Sequence, residues 1–76
     1  MDKLEAEQYL EINYEKLNEL FFNQYGDLPV GGFINPSVEG VINDTIIFHC
    51  HYDGFDNEED SWEYGFDVKK EQFYAY

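Results

Sequence analysis

The sequence predicts an α+β domain, with one N-terminal amphipathic helix packed on an antiparallel sheet of three to four strands. Three observations predict it. Apolar residues recur at three- and four-residue spacing before residue 25, and at two-residue spacing after residue 60. Between them, "GDLPVGGFINPS" (residues 26–37) holds both prolines and three of the six glycines, so it reads as a connector.

The helix is expected over Asp2 to Gln24. Leu10, Tyr14, Leu17, Leu20 and Phe21 form its apolar stripe. Asp2 and Glu5 suit the positive end of the helix dipole, Gly26 is a candidate C-cap, and Pro29 prevents continuation. "VEGVINDTIIFHCHYDG" then reads as a hairpin. Its branched residues Val38, Val41, Ile42, Thr45, Ile46 and Ile47 favour strand, and Asn43-Asp44 can make the tight turn. "SWEYGFDVK" alternates, with Trp62, Tyr64, Phe66 and Val68 on one face and Glu63, Gly65, Asp67 and Lys69 on the other. The end, "EQFYAY", is expected as a fourth strand or a docked tail. No repeat or second-domain boundary is visible, so residues 1–76 form a single small domain.

Composition narrows the classes of function. Seventeen Asp and Glu face four Lys and no Arg, for a net charge of −13. With a mean hydropathy of −0.59, such a chain could be disordered, but its aromatic content of 20% argues for a folded core. The charge excludes direct binding to nucleic acid and disfavours anionic lipid surfaces. No apolar stretch approaches the ~20 residues needed to span a membrane, and "MDKLEAEQYL" lacks the pattern of a signal peptide. With Cys50 as the one cysteine, no intramolecular disulfide can form, and a reduced, cytoplasmic setting is expected.

The acids are clustered. Glu7, Glu11, Glu15 and Glu19 are four residues apart and predict a single row along the helix, with a step of ~6 Å. "DGFDNEEDSWEYGFD" adds Asp53, Asp56, Glu58, Glu59, Asp60, Glu63 and Asp67 among four aromatic rings. Like charges at helical i,i+4 spacing destabilise an isolated helix by a few tenths of a kcal/mol per pair, roughly. Acidic helix faces are usually only solvated. The absence of arginine and the two separate clusters favour a partner that neutralises them. Phe22 lies off the stripe among the glutamates, where it can anchor a partner helix or a dimer.

Other constellations are weak. "FHCHYD" contains possible metal ligands, but on a strand His49 and His51 share a face and Cys50 points to the other. The stretch from Asp53 fails the calcium-loop pattern, with Phe55 at position three and Glu58 at position six. No Gly-rich phosphate loop or nucleophile elbow is present, and no cofactor or metal is expected. The sequence therefore predicts a binding protein rather than an enzyme.

In size and charge the chain resembles phage-encoded DNA mimics, including some anti-CRISPR proteins and inhibitors of restriction or repair enzymes. That resemblance implies a small acidic inhibitor that occludes a basic nucleic-acid-binding surface of another protein, with the carboxylates above standing in for phosphates. The alternatives are an immunity protein or antitoxin for a toxin nuclease, or a small subunit of a larger assembly. For an immunity protein, Tyr9, Phe22, Tyr64, Tyr74 and Tyr76 are candidate hot spots.

Overall fold

The computed structural model describes residues 1–26, 32–52 and 61–75. The first element is a helix, α1 (Lys3–Tyr25). Asp2 is its N-cap in a capping box: the carboxylate accepts from Glu5 N at 2.8 Å, and Glu5 Oε1 accepts from Asp2 N at 3.4 Å. Gly26 closes the other end at a φ of 56°, where a side chain would be strained, and its N–H donates to Phe22 O at 2.6 Å. Both ends lie within a residue of those the sequence predicts.

Ala6, Leu17 and Phe21 are the buried residues of α1, with Tyr9, Leu10, Leu20 and Tyr25 packed beside them. Asn13 falls on the same inner line, and there the helix breaks. Its φ and ψ are −109° and 18°, and its side-chain amide donates to Tyr9 O at 3.0 Å. A mid-helix asparagine that bonds back to the preceding turn competes with the backbone ladder, which accounts for the kink. Tyr14, expected within the stripe, lies at its exposed margin, with its ring centroid 6.3 Å from that of Phe33.

Four strands follow: β1 (Ser37–Ile42), β2 (Thr45–His51), β3 (Ser61–Asp67) and β4 (Gln72–Ala75). They form an antiparallel meander in the order β1-β2-β3-β4. Asn43-Asp44 makes a two-residue turn, with Asn43 at a φ of 55°. Glu39 is a bulge in β1, where Val38 pairs with Phe48 and Gly40 with Ile47. A bulge twists an edge strand and discourages pairing with other chains. The predicted strand "SWEYGFDVK" ends earlier, at Asp67. Its carboxylate accepts from Lys69 N at 2.9 Å and Lys70 N at 3.0 Å, turning Val68 and Lys69 out of the strand.

Val38, Ile46, Phe48, Cys50, Tyr64, Phe66 and Phe73 form the sheet face that meets α1. Phe33, from the predicted connector, fills the gap between helix and sheet. Its centroid is 5.1 Å from Phe48, 5.3 Å from Phe73 and 6.0 Å from Phe21. Behind it, Ile34 O accepts from His51 N at 3.2 Å and Trp62 Nε1 donates to Gly32 O at 2.8 Å, so the connector is tied to both inner strands.

Gln24 guards the β4 edge. Its Oε1 accepts from Phe73 N at 2.7 Å while its Nε2 donates to Phe73 O, as a further strand would. Gln24→Ala is expected to lower stability by about 1–2 kcal/mol for the two lost hydrogen bonds. Gln24→Glu keeps the acceptor alone and should lose part of this. Urea unfolding of the three proteins measures both effects.

Candidate functional site

The solvent side of α1 follows from its buried side. Glu15 and Glu19 each stand two residues from the buried Leu17, ~200° around the helix axis. They therefore point away from the sheet. Glu7 and Glu11 are exposed as well. Among the described residues, none of these four glutamates pairs with a cation. Lys16 Nζ bonds Glu71 Oε1 at 2.9 Å, and Lys69 Nζ lies 3.3 Å from Asp44 Oδ2. The predicted row exists with one change: the kink at Asn13 divides it, with Glu7 and Glu11 on one segment and Glu15 and Glu19 on the next.

Apolar side chains stand in the same field. Ile12 is 80% exposed, and Leu4 and Phe22 are each 64% exposed. Phe22 is off the stripe, as the spacing predicts. Ile12 and Leu4 went unnoticed in the sequence, although their distance from the stripe is written in the same periodicity.

Of the second predicted cluster, the two described members, Glu63 and Asp67, stand apart from the helix row. Asp53, Asp56, Glu58, Glu59 and Asp60 lie outside the described residues. Glu63 and Asp67 are on β3, where Tyr64 and Phe66 turn inward to the helix, so the acids turn to the opposite sheet face. Glu63 Oε1 is 3.8 Å from Nδ1 of its cross-strand neighbour His49. The Asp67 carboxylate is occupied with the β3–β4 turn. Helix glutamates and sheet acids thus lie on opposite sides of a body 29 × 25 × 21 Å in extent. A flat partner surface can cover only one of them.

The outer sheet face is locally sealed. The Tyr74 ring lies over Gly65, where a Cβ would stand 2.6 Å from its Cε2, and the Tyr74 hydroxyl donates to Thr45 Oγ1 at 2.8 Å. Ile47, which pairs with Gly65, is only 4% exposed on this helix-free side. Of the candidate hot spots, Tyr64 is buried in the core. Tyr9 is half-buried against Phe66, with centroids 6.3 Å apart, and Tyr76 lies outside the described residues. Phe22 and Tyr74 are the exposed ones, and Tyr74 is already held by Thr45.

His49 and His51 are on the outer face and Cys50 in the core, as strand alternation predicts. Among the described residues, no three His, Cys, Asp or Glu side chains converge. Burial pushes the Cys50 thiol up to about 11, partly opposed by a backbone hydrogen bond with Ile34, and pushes the Tyr64 hydroxyl up to about 12. Neither is an activated nucleophile at neutral pH.

A raised thiol pKa in the fold means that the unfolded chain loses its proton first. Between pH 9 and 11 stability should therefore fall as pH rises, and Cys50→Ala should make the fall shallower. Thermal melts across that window measure the slope. In a parallel check at pH 8, iodoacetamide should modify the native thiol far more slowly than the urea-unfolded one.

No helix among the described residues is long and apolar enough to cross a membrane. No protein-family model, curated protein or solved structure matches the chain significantly.

Proposed function

We propose that the chain is a small inhibitor that binds and occludes a basic, nucleic-acid-binding surface of another protein, in the manner of anti-CRISPR or anti-restriction DNA mimics. The supporting observation is the acidic face of α1, where Glu7, Glu11, Glu15 and Glu19 are exposed while Lys16 and Lys69 are engaged elsewhere. Carboxylates in such a row offer cationic side chains the contacts that phosphates would. Association would be steered by charge and weakened by salt. The partner class is a nuclease or nucleic-acid-guided complex in the cytoplasm. The chain itself performs no catalysis and needs no cofactor under this reading.

The test is capture from a bacterial lysate on the immobilised chain at low salt, followed by elution with free DNA or RNA. Release of a nucleic-acid-binding enzyme is the expected result. If the captured protein resists nucleic acid and leaves only under denaturing conditions, mimicry is wrong. The second reading, an immunity protein for a toxin nuclease, then takes over. The exposure of Ile12 and Phe22 favours it, because tight single-partner interfaces centre on apolar anchors.

A further inference from the structure

The apolar side chains on the α1 outer face are unexplained by charge mimicry, because phosphates offer nothing for them to imitate. Leu4, Ile12 and Phe22 lie on both sides of the Asn13 kink and are exposed among the glutamates. They do not form one patch: Ile12 stands ~12 Å from Leu4 and ~15 Å from Phe22 along the axis, so each would seat separately in a partner, with glutamates between them.

We infer that this face docks a cationic protein surface whose lysine or arginine side chains surround apolar groups, with Ile12 and Phe22 as the anchors. The inference rests on the basic-partner reading above and names the chemistry of that partner. Charge selects the occupant. A second copy of the chain would bring another −13 and set glutamates against glutamates. Anionic lipid and nucleic acid are repelled for the same reason. An uncharged apolar surface would bury Glu11, Glu15 and Glu19 without counter-ions, which is costly. A surface with cations around apolar groups satisfies both sets of side chains at once. Such an interface holds by burial as well as charge, so part of its affinity survives high salt.

The experiment uses two labelled 18-residue peptides. One is built of Leu and Lys, with Leu at helical spacing, and the other has Ala in place of every Leu. Fluorescence anisotropy is measured against the full chain in 150 mM salt. The wild type should bind the Leu/Lys peptide at least about tenfold more tightly, the effect of burying one further large apolar side chain. Ile12→Gln/Phe22→Gln should erase that preference while retaining the wild-type circular dichroism and melting midpoint. If the double variant loses its helical signal, Ile12→Gln alone is read in its place.

Equal binding of the two peptides by the wild type would overturn the anchors and leave the basic-partner reading standing. A preference retained by the variant would also overturn them. Binding of neither peptide would overturn both.

Discussion

Phe73→Ala is expected to leave no cooperatively folded domain at 25 °C. Phe73 is almost fully buried on a strand of only four residues, and its ring lies where helix, connector and sheet meet. Its centroid is 4.6 Å from Phe66 and 5.3 Å from both Phe21 and Phe33. Removing a buried phenylalanine costs about 3–5 kcal/mol. A domain of this size, carrying a strong net negative charge, has a total stability of about the same amount. The loss should therefore consume the whole margin. Near-UV circular dichroism and urea titration would show it as a missing aromatic signal and an absent transition. Phe73→Leu, which keeps most of the volume, should stay folded with a loss of about 1–2 kcal/mol. A cooperative Phe73→Ala protein, weakened by less than 2 kcal/mol or so, would mean that the core can collapse around the missing ring.

That such a residue sits in "EQFYAY" shows where sequence reading stops. The helix was legible because its signals are local: the Asp2–Glu5 capping box, the stripe and Gly26 lie within a few residues of what they control. The alternation around Tyr64 and Phe66 was legible for the same reason. Phe33 was hidden, because a connector rich in Gly and Pro gives no period from which to infer burial. Gln24 and Phe73 are 49 residues apart, and only the folded helix brings them together. Alternation places Gly65 on the outer face, but the Tyr74 ring that covers it is set by the β3–β4 register.

The candidate site divides in the same way. Four-residue spacing made the glutamate row visible, but not the break that Asn13 puts in it. The separation of that row from Glu63 and Asp67 was implicit in the sequence. If Tyr64 and Phe66 face the helix, their acidic neighbours must face away from it. One consequence is that the acids of this chain cannot all act as one phosphate track. Among the described residues, the helix face brings four exposed glutamates together with Leu4, Ile12 and Phe22, which makes it a better candidate surface than the Glu63–Asp67 side of the sheet.

The Glu11→Gln/Glu15→Gln/Glu19→Gln protein should be more stable than the wild type and bind cations worse. The substitutions remove the like-charge pairs Glu7–Glu11, Glu11–Glu15 and Glu15–Glu19, each worth a few tenths of a kcal/mol, roughly, at i,i+4 spacing. The pair that straddles Asn13 should contribute least, since its members sit on two helix segments. A gain of about 0.5–1 kcal/mol corresponds to a melting midpoint roughly 2–8 °C higher for a domain of this size. Because the pairs are exposed, the gain should be present at 20 mM salt and nearly gone at 0.5 M. Against the Ala/Lys peptide, affinity at low salt should fall by about tenfold or more, with the two proteins converging at high salt. Opposite signs for stability and binding are what a surface kept for a partner predicts, since strain in the free protein is relieved only when the partner arrives. A triple variant that melts at the wild-type temperature and binds the peptide equally well would show that the row is merely solvated, and the proposed function would lose its support.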